Sequence, residues 1–123
     1  MNVRLLLLFL CAVPAVACDP ITSVQGRIVR SPVAGGGAPA PVTGATVNVK
    51  CKDLRPEEGI TTTTDLNGTF SLSTVGGVLP DACTLDVTAK GAPTISTTIG
   101  AAKTQGDDPD NRVRKVEVTL GAQ

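Results

Sequence analysis

The stretch ATVNVKCK at residues 45–52 decides the fold class, because its side chains alternate between apolar and polar. Successive side chains of an extended strand point to opposite faces of a sheet, so every second residue shares a face. One face carries Ala45, Val47, Val49 and Cys51, and the other carries Thr46, Asn48, Lys50 and Lys52. The stretch therefore predicts a strand that is buried on one side only.

The rest of the chain offers more segments of this kind, and none with a helical period. Residues 82–90 (ACTLDVTAK) alternate in the same way, and residues 65–68 (DLNG) predict a turn leading into a strand with Phe70 and Leu72 inward. Further β-rich segments lie at residues 23–30, 60–64, 69–73, 94–99 and 112–120. Seven strands with short turns predict an all-β, seven-stranded antiparallel Greek-key β-sandwich of the immunoglobulin-like kind.

The N-terminus predicts export. Arg4 precedes a run of apolar residues at 5–16, which as a helix would span only about 18 Å against a hydrocarbon core of roughly 30 Å. The run is therefore interpreted as a cleavable signal peptide, residues 1–17. The small residues Ala15 and Ala17 satisfy ordinary signal peptidase and also resemble the bacterial lipoprotein box, in which small residues precede a lipidated cysteine.

The cysteine count bears on that choice. Cys11 would leave with the leader, and the mature chain would keep Cys18, Cys51 and Cys83. If Cys18 carries lipid, the other two can pair with each other and no thiol is left over. We therefore predict lipidation at Cys18, a tether at residues 18–22 and a folded domain at residues 23–121. Plain secretion is the alternative.

Cys51 and Cys83 both fall on the apolar faces of their predicted strands, where two β carbons could meet. We predict a disulfide between them, worth about 3 to 4 kcal/mol for a loop of about 33 residues. Two buried free thiols are the alternative interpretation.

Composition argues against several classes of function. The chain has no His, Trp or Tyr, and its formal net charge is zero. Without His the usual general base and the commonest ligand of zinc and copper are missing. A neutral chain has no electrostatic footprint for nucleic acid. We therefore expect no enzyme activity, no cofactor, no metal site and no nucleic-acid partner.

Four features remain as candidate sites. The turn at residues 65–68 and the aspartates at 107, 108 and 110 could supply oxygens to calcium, but they lack the later bidentate Glu of an EF-hand and are interpreted as a turn and a solvated loop. Lys50 and Lys52 are interpreted as surface lysines. The Gly, Pro and Ala-rich stretch at residues 31–44 is either a linker or a loop that docks a partner.

The order of several short motifs resembles the carboxypeptidase regulatory-like domains, which share the transthyretin-like (prealbumin-like) sandwich. The most specific motif is T-D-x-x-G-x-F, carried here by Asp65, Gly68 and Phe70. The matching segments are residues 24–29, 42–47, 63–70, 84–87 and 116–120. The resemblance implies an accessory domain that is structural or binds other proteins. Two reactive relatives are not implied, since hydroxyisourate hydrolases need catalytic histidines and cross-linked pilin sandwiches need a Lys in the first strand.

Taken together, the sequence predicts a non-catalytic envelope lipoprotein. It would be held to the membrane by lipid on Cys18 and would act as a structural or protein-binding module, with an envelope protein as its partner. The alternative is a soluble secreted β-sandwich that binds a small ligand or calcium through the loop at residues 107–110.

Overall fold

The computed structural model describes residues 21–32, 36–52, 58–75, 79–110 and 112–121. Within these ranges the chain forms strands and one short helix. The elements are β1 (Ile21–Arg30), β2 (Ala40–Pro41), β3 (Thr46–Lys50), β4 (Ile60–Thr63), β5 (Thr69–Val75), β6 (Thr84–Thr88), β7 (Ile95–Thr98), α1 (Ile99–Ala102) and β8 (Val113–Leu120). The predicted signal peptide and Cys18 lie outside the described residues.

The first sheet is built around β1. The strand pairs with β5 and then β2 on one side, both antiparallel, and with β8 on the other side. The β1–β8 pairing is parallel, with Gln25 opposite Lys115, whereas the sequence pattern predicted antiparallel pairing throughout. β7 already ends beside Thr84, near the end where β1 begins. The chain then crosses from the second sheet to the first at that same end, where Thr104 N bonds to Lys115 O, so β8 starts beside the start of β1 and runs the same way.

The second sheet has the order β4-β3-β6-β7, and all its pairings are antiparallel. Its inner face carries the apolar residues that alternation predicted, and they are almost fully buried. They are Val47, Val49, Leu85 and Val87, each at most 1 % exposed. They pack in one hydrophobic cluster with Val24 and Ile28 of the first sheet. The predicted all-β sandwich is confirmed.

Phe70 is the one aromatic residue in the described core, and a glycine makes room for it. Gly26 pairs with Phe70 on one side and with Val116 on the other. A Cβ on Gly26 would lie 2.6 Å from the Phe70 ring and 2.7 Å from a Val116 methyl. The ring therefore fills the space that a side chain on β1 would otherwise occupy.

Three local features differ from the sequence boundaries. β1 begins at Ile21, so Ile21 and the fully buried Thr22 belong to the strand although they were assigned to the tether. β2 lies inside the stretch interpreted as a loop, which brings the described strands to eight. The strand predicted at 94–99 ends at Thr98, whose hydroxyl accepts a hydrogen bond from Ala101 N at 3.2 Å and caps α1.

The cysteines join β3 to β6 within one sheet. Lys50 pairs with Thr84 at the end of the β3–β6 ladder, and Cys51 and Cys83 follow as the next opposed positions. Their Cα atoms are 4.5 Å apart and they form a disulfide, which confirms the predicted pairing. The bond indicates an oxidising, exported environment. Among the described residues, no helix is long and apolar enough to cross a membrane.

The sandwich has two ends, which we name after the two exposed large apolar residues in the described part of the chain. The Ile21 end is where β1 and β8 begin, and it contains the disulfide, α1, residues 79–83 and 103–110, and Arg112. The Leu66 end is where β1 finishes, and it contains the turn at residues 65–68 and the segment at residues 36–45. Ile21 is 67 % exposed and Leu66 is 82 % exposed.

Candidate functional site

The turn motif lies at the Leu66 end, where Asp65 organises the backbone. Its Oδ1 accepts hydrogen bonds from the backbone N of Asn67 at 2.8 Å and of Thr69 at 3.0 Å. Its Oδ2 accepts the Thr69 hydroxyl at 2.6 Å. The Thr69 side chain, and then its backbone N–H, hold the pKa of Asp65 below its ordinary value. Both carboxylate oxygens are thus directed into the turn.

Gly68 allows the turn to pack closely on its neighbours. The residue has a φ of 72°, and a Cβ there would lie 2.6 Å from Ile28 O and 3.0 Å from Val42 N. In return, Gly68 O accepts a hydrogen bond from Ile28 N at 2.8 Å. A glycine is needed here both for the left-handed backbone and for the close approach of two other segments.

The second half of the predicted loop is held against this turn. Val42 is buried, and its N donates to Ile28 O at 3.0 Å. The buried Thr64 hydroxyl donates to Val42 O and accepts from Ala45 N at 2.9 Å. Residues 42–45 therefore belong to the fold, as do Ala40 and Pro41 in β2, and the interpretation as linker or docking loop no longer applies to residues 40–45.

These contacts leave an uncharged surface at the Leu66 end. It is formed by the exposed residues 38–41, Thr43 and Leu66, and the Thr43 hydroxyl donates to Leu66 O at 3.5 Å. Residues 36–45 contain no charged side chain. We call residues 38–41, Thr43 and Leu66 the Leu66 surface.

The Ile21 end contains a buried cation that the sequence analysis missed. The Arg114 side chain is 2 % exposed. Its Nε and Nη2 donate to the two oxygens of Asp107 at 2.9 and 3.0 Å. Nη2 also donates to Asp81 Oδ1, and Nη1 donates to the carbonyl of Leu79. All these bonds are charge-assisted, and the pair with Asp107 is bidentate.

The pKa values of the carboxylates and of Arg114 shift in the directions expected for ion pairs. The hydrogen bonds from Arg114 lower the pKa of Asp107 and of Asp81, against the opposing effect of burial on Asp107. The same bonds, led by the one to Asp107, raise the pKa of Arg114. Lys103 Nζ adds an exposed contact to Asp81 at 3.4 Å. The cluster ties residues 79–81 and 107 to β8.

This cluster corrects the interpretation of the aspartates as a solvated loop for Asp107, whereas Asp110 is exposed as that interpretation expects. Asp107 is 7 % exposed, and its Oδ1 also accepts Lys115 N at 2.9 Å. The backbone N of Asp108 donates to Val113 O at 2.8 Å, which closes the loop onto β8. Among the described residues, no group of three His, Cys, Asp or Glu side chains is placed to hold a metal ion.

A sequence signal for Arg114 did exist. In the last strand Val116, Val118 and Leu120 share the inward face, and Arg114 occupies the same register. A charged residue at an inward position predicts a buried partner, because an isolated charge is costly to desolvate.

Two open hollows lie on the outer faces of the sheets. One, of about 560 Å³, lies over β1 and is lined by residues that include Arg27, Ser71, Lys115 and Glu117. The other, of about 620 Å³, lies beside the disulfide and is lined by Lys50, Cys51, Lys52, Ala82, Thr84 and Asp86. Lys50 and Lys52 are exposed there, in agreement with their interpretation as surface lysines.

Comparisons with known proteins bear on the fold alone. No protein-family model matches the sequence, and no curated protein sequence matches it significantly. The structure is similar to the major plantain pollen allergen, with a TM-score of 0.57 and 18 % identity over 85 % of this chain and 95 % of that one. It is also similar to the dioxygenase domain of a dioxygenase and carbohydrate-binding fusion from Streptomyces sp. SirexAA-E.

The dioxygenase domain has a TM-score of 0.52 and 15 % identity, over 87 % of this chain and 83 % of that one. The major pilin subunit of Bacillus cereus gives a TM-score of 0.48 and 14 % identity, over 84 % of this chain and 30 % of that one. At these identities the likeness is one of fold, so the chain is similar to β-sandwich proteins of differing function.

Proposed function

We propose that the chain is a lipid-anchored, non-catalytic module of the cell envelope, of the carboxypeptidase regulatory-like type, with a structural or protein-binding role. The observation that carries the proposal is how the polar groups are used. Asp65 holds the backbone of its turn. Asp107 and Arg114 bond to each other and to backbone groups of Lys115 and Leu79. A module built in this way supports or binds other molecules rather than transforming them.

The number of cysteines left after the disulfide has formed supports the anchor. The disulfide takes Cys51 and Cys83, and loss of the predicted leader would remove Cys11. Cys18 is then the one cysteine left to account for, directly after small residues that resemble the lipoprotein box. A lipid thioether on Cys18 accounts for it, and a diacylglyceryl group with an amide-linked chain exceeds the two-chain threshold for stable attachment.

The anchor is tested by acyl labelling and detergent partitioning of the chain expressed in a bacterium. The wild type should take up labelled fatty acid and enter the detergent phase. Cys18→Ser should do neither, whereas Cys11→Ser, a matched change within the leader, should behave as the wild type. An unlabelled wild type, or a Cys18→Ser chain that still partitions into detergent, would rule out the anchor.

The Leu66 surface is the part best suited to bind a protein partner. It is uncharged, and its side chains are exposed although the backbone beneath them is fixed by the Thr64 and Gly68 contacts. A fixed surface loses little conformational freedom on binding. Its central apolar side chain, Leu66, is the natural anchor for a partner.

Cross-linking in cells tests the binding role with a matched pair of variants. Leu66→Asp places a charge on the Leu66 surface, and Ser73→Asp places one on an exposed position of β5 away from it. We expect cross-linked partners to be lost in Leu66→Asp and kept in Ser73→Asp. Identical cross-linking in the wild type and both variants would contradict binding through this surface.

A further inference from the structure

The distance between the anchor and the fold is short. Three peptide steps separate Cys18 from Ile21, and a fully extended chain spans at most about 11 Å over three residues. Ile21 itself is part of β1 and pairs with Val75 of β5. This inference rests on the proposed lipid anchor: if Cys18 carries the lipid, the end of the sandwich that contains Ile21 must lie at the membrane surface.

The residue nearest the anchor is apolar and exposed. Ile21 is 67 % exposed, although an isoleucine in a strand of a sandwich is usually buried. At a lipid interface this side chain would leave water, which is favourable for an apolar group. The other large exposed apolar residue, Leu66, lies in the turn beside the far end of β1.

The length of β1 fixes how far the two ends are apart. A strand of ten residues is about 33 Å long, and Gly68 of the turn bonds to Ile28 near the far end of β1. If β1 stands away from the bilayer, the Leu66 surface lies well beyond the headgroups. If the sandwich lies on its side, both ends are close to them.

Charge does not decide between these orientations. Among the described residues of the Ile21 end, exposed or half-exposed cations are accompanied by an equal number of exposed or half-exposed anions. The residues concerned are Lys50, Lys52, Lys103 and Arg112, against Glu58, Asp81, Asp108 and Asp110. The contact would therefore depend on the anchor and on Ile21, and added salt should weaken it little.

We propose that the Ile21 end of the sandwich rests on the lipid headgroups with the Ile21 side chain in the interface, so that the Leu66 surface faces the aqueous side. The disulfide and the Arg114 cluster both lie at the Ile21 end and keep the shape of this end fixed where it meets the lipid. The partner of the Ile21 end is thus a lipid surface.

The absence of Trp and Tyr from the sequence makes a clean test possible. Ile21→Trp and Leu66→Trp each introduce a single fluorophore at an exposed position, where the fold should tolerate it. The lipidated proteins are reconstituted into vesicles of phosphatidylethanolamine and phosphatidylglycerol, with and without brominated phosphatidylcholine, which quenches tryptophan only at close range. Circular dichroism checks that both variants are folded.

We expect both variants to bind vesicles. The Ile21→Trp emission should shift to the blue and lose intensity with brominated lipid, in low and in high salt, whereas the Leu66→Trp emission should change in neither respect. Bound variants with equal quenching, or with no quenching in Ile21→Trp, would overturn the orientation and leave the anchor standing. Variants that remain in the aqueous phase would overturn the anchor and the orientation together.

Discussion

The two ends of the sandwich are held together by different chemistry. At the Ile21 end a disulfide and a buried Arg114 cluster join the strands to residues 79–83 and 107. At the Leu66 end the described contacts are hydrogen bonds of a turn, centred on Asp65, and of the Thr64 hydroxyl. Covalent and ionic bonds therefore hold the Ile21 end, whereas hydrogen bonds to the backbone hold the Leu66 end.

This division matches the proposed roles of the two ends. The end near the proposed anchor would have to keep its shape against a lipid surface, and the disulfide and the Arg114–Asp107 pair at this end are buried. The other end presents an uncharged surface whose backbone is positioned but whose side chains are exposed. The following predictions test the division, in order of the effect expected.

The largest effect is expected from Arg114→Met. The substitution leaves Asp107 buried without its cation, and breaking one side of a buried pair costs about 3 to 5 kcal/mol. Urea unfolding followed by circular dichroism measures the loss. The matched control is Lys103→Met, which removes an exposed contact to Asp81 and should cost no more than about 1 kcal/mol. Equal losses would mean that Arg114 does not brace this end.

Removing the disulfide should have the next largest effect. The Cys51→Ala, Cys83→Ala double variant frees the unfolded chain, which lowers the free energy of unfolding by about 3 to 4 kcal/mol. The same measurement on the reduced wild type should agree with the variant. A loss below about 1 kcal/mol would show that the bond adds little to a sandwich that already holds its shape.

At the Leu66 end, substitutions at two glycines distinguish the cost of crowding from the cost of backbone strain. Gly44 and Gly68 have φ values of 73° and 72°, but a Cβ on Gly44 meets nothing within 4 Å whereas one on Gly68 meets Ile28 O. Gly44→Ala should cost about 1 to 2 kcal/mol from the left-handed backbone. Gly68→Ala should cost a further 1 to 3 kcal/mol, roughly, from crowding.

The comparison is again by urea unfolding. Equal costs for the two alanine variants would show that the turn can move away from β1, and that the Leu66 end is held more loosely than the close contacts of Gly68 indicate.

The smallest effect is a change with pH. The folded pKa values of Asp107 and Asp81 lie below the ordinary value of 3.8, so their contribution to stability is present above that value. It is lost as the pH falls through the lower folded values. The stability difference between the wild type and Arg114→Met should therefore shrink below about pH 4. A difference that stays constant down to pH 2 would contradict the assigned pairs.

The strands and the disulfide could be predicted from the sequence. Strand direction and contacts between residues far apart in the sequence could not. Alternation is a property of neighbouring residues, so the strands around Cys51 and Cys83 and their disulfide could be predicted. Alternation does not give strand direction, so the parallel β1–β8 pairing was missed. The carboxylate partners of Arg114 lie 7 and 33 residues away, and only the fold brings them together.

Hydrogen exchange of single amides in mild urea tests the division most directly, because it compares hydrogen-bonded amides at both ends. At the Ile21 end these are Ile99 N, bonded to Cys83 O, and Lys115 N, bonded to Asp107. At the Leu66 end they are Val42 N, bonded to Ile28 O, and Thr64 N, bonded to Ala45 O. The account predicts that the Leu66-end pair exchanges first, through an opening that leaves the Ile21 end closed. Exchange of all four amides at one rate, or of the Ile21-end pair first, would contradict it.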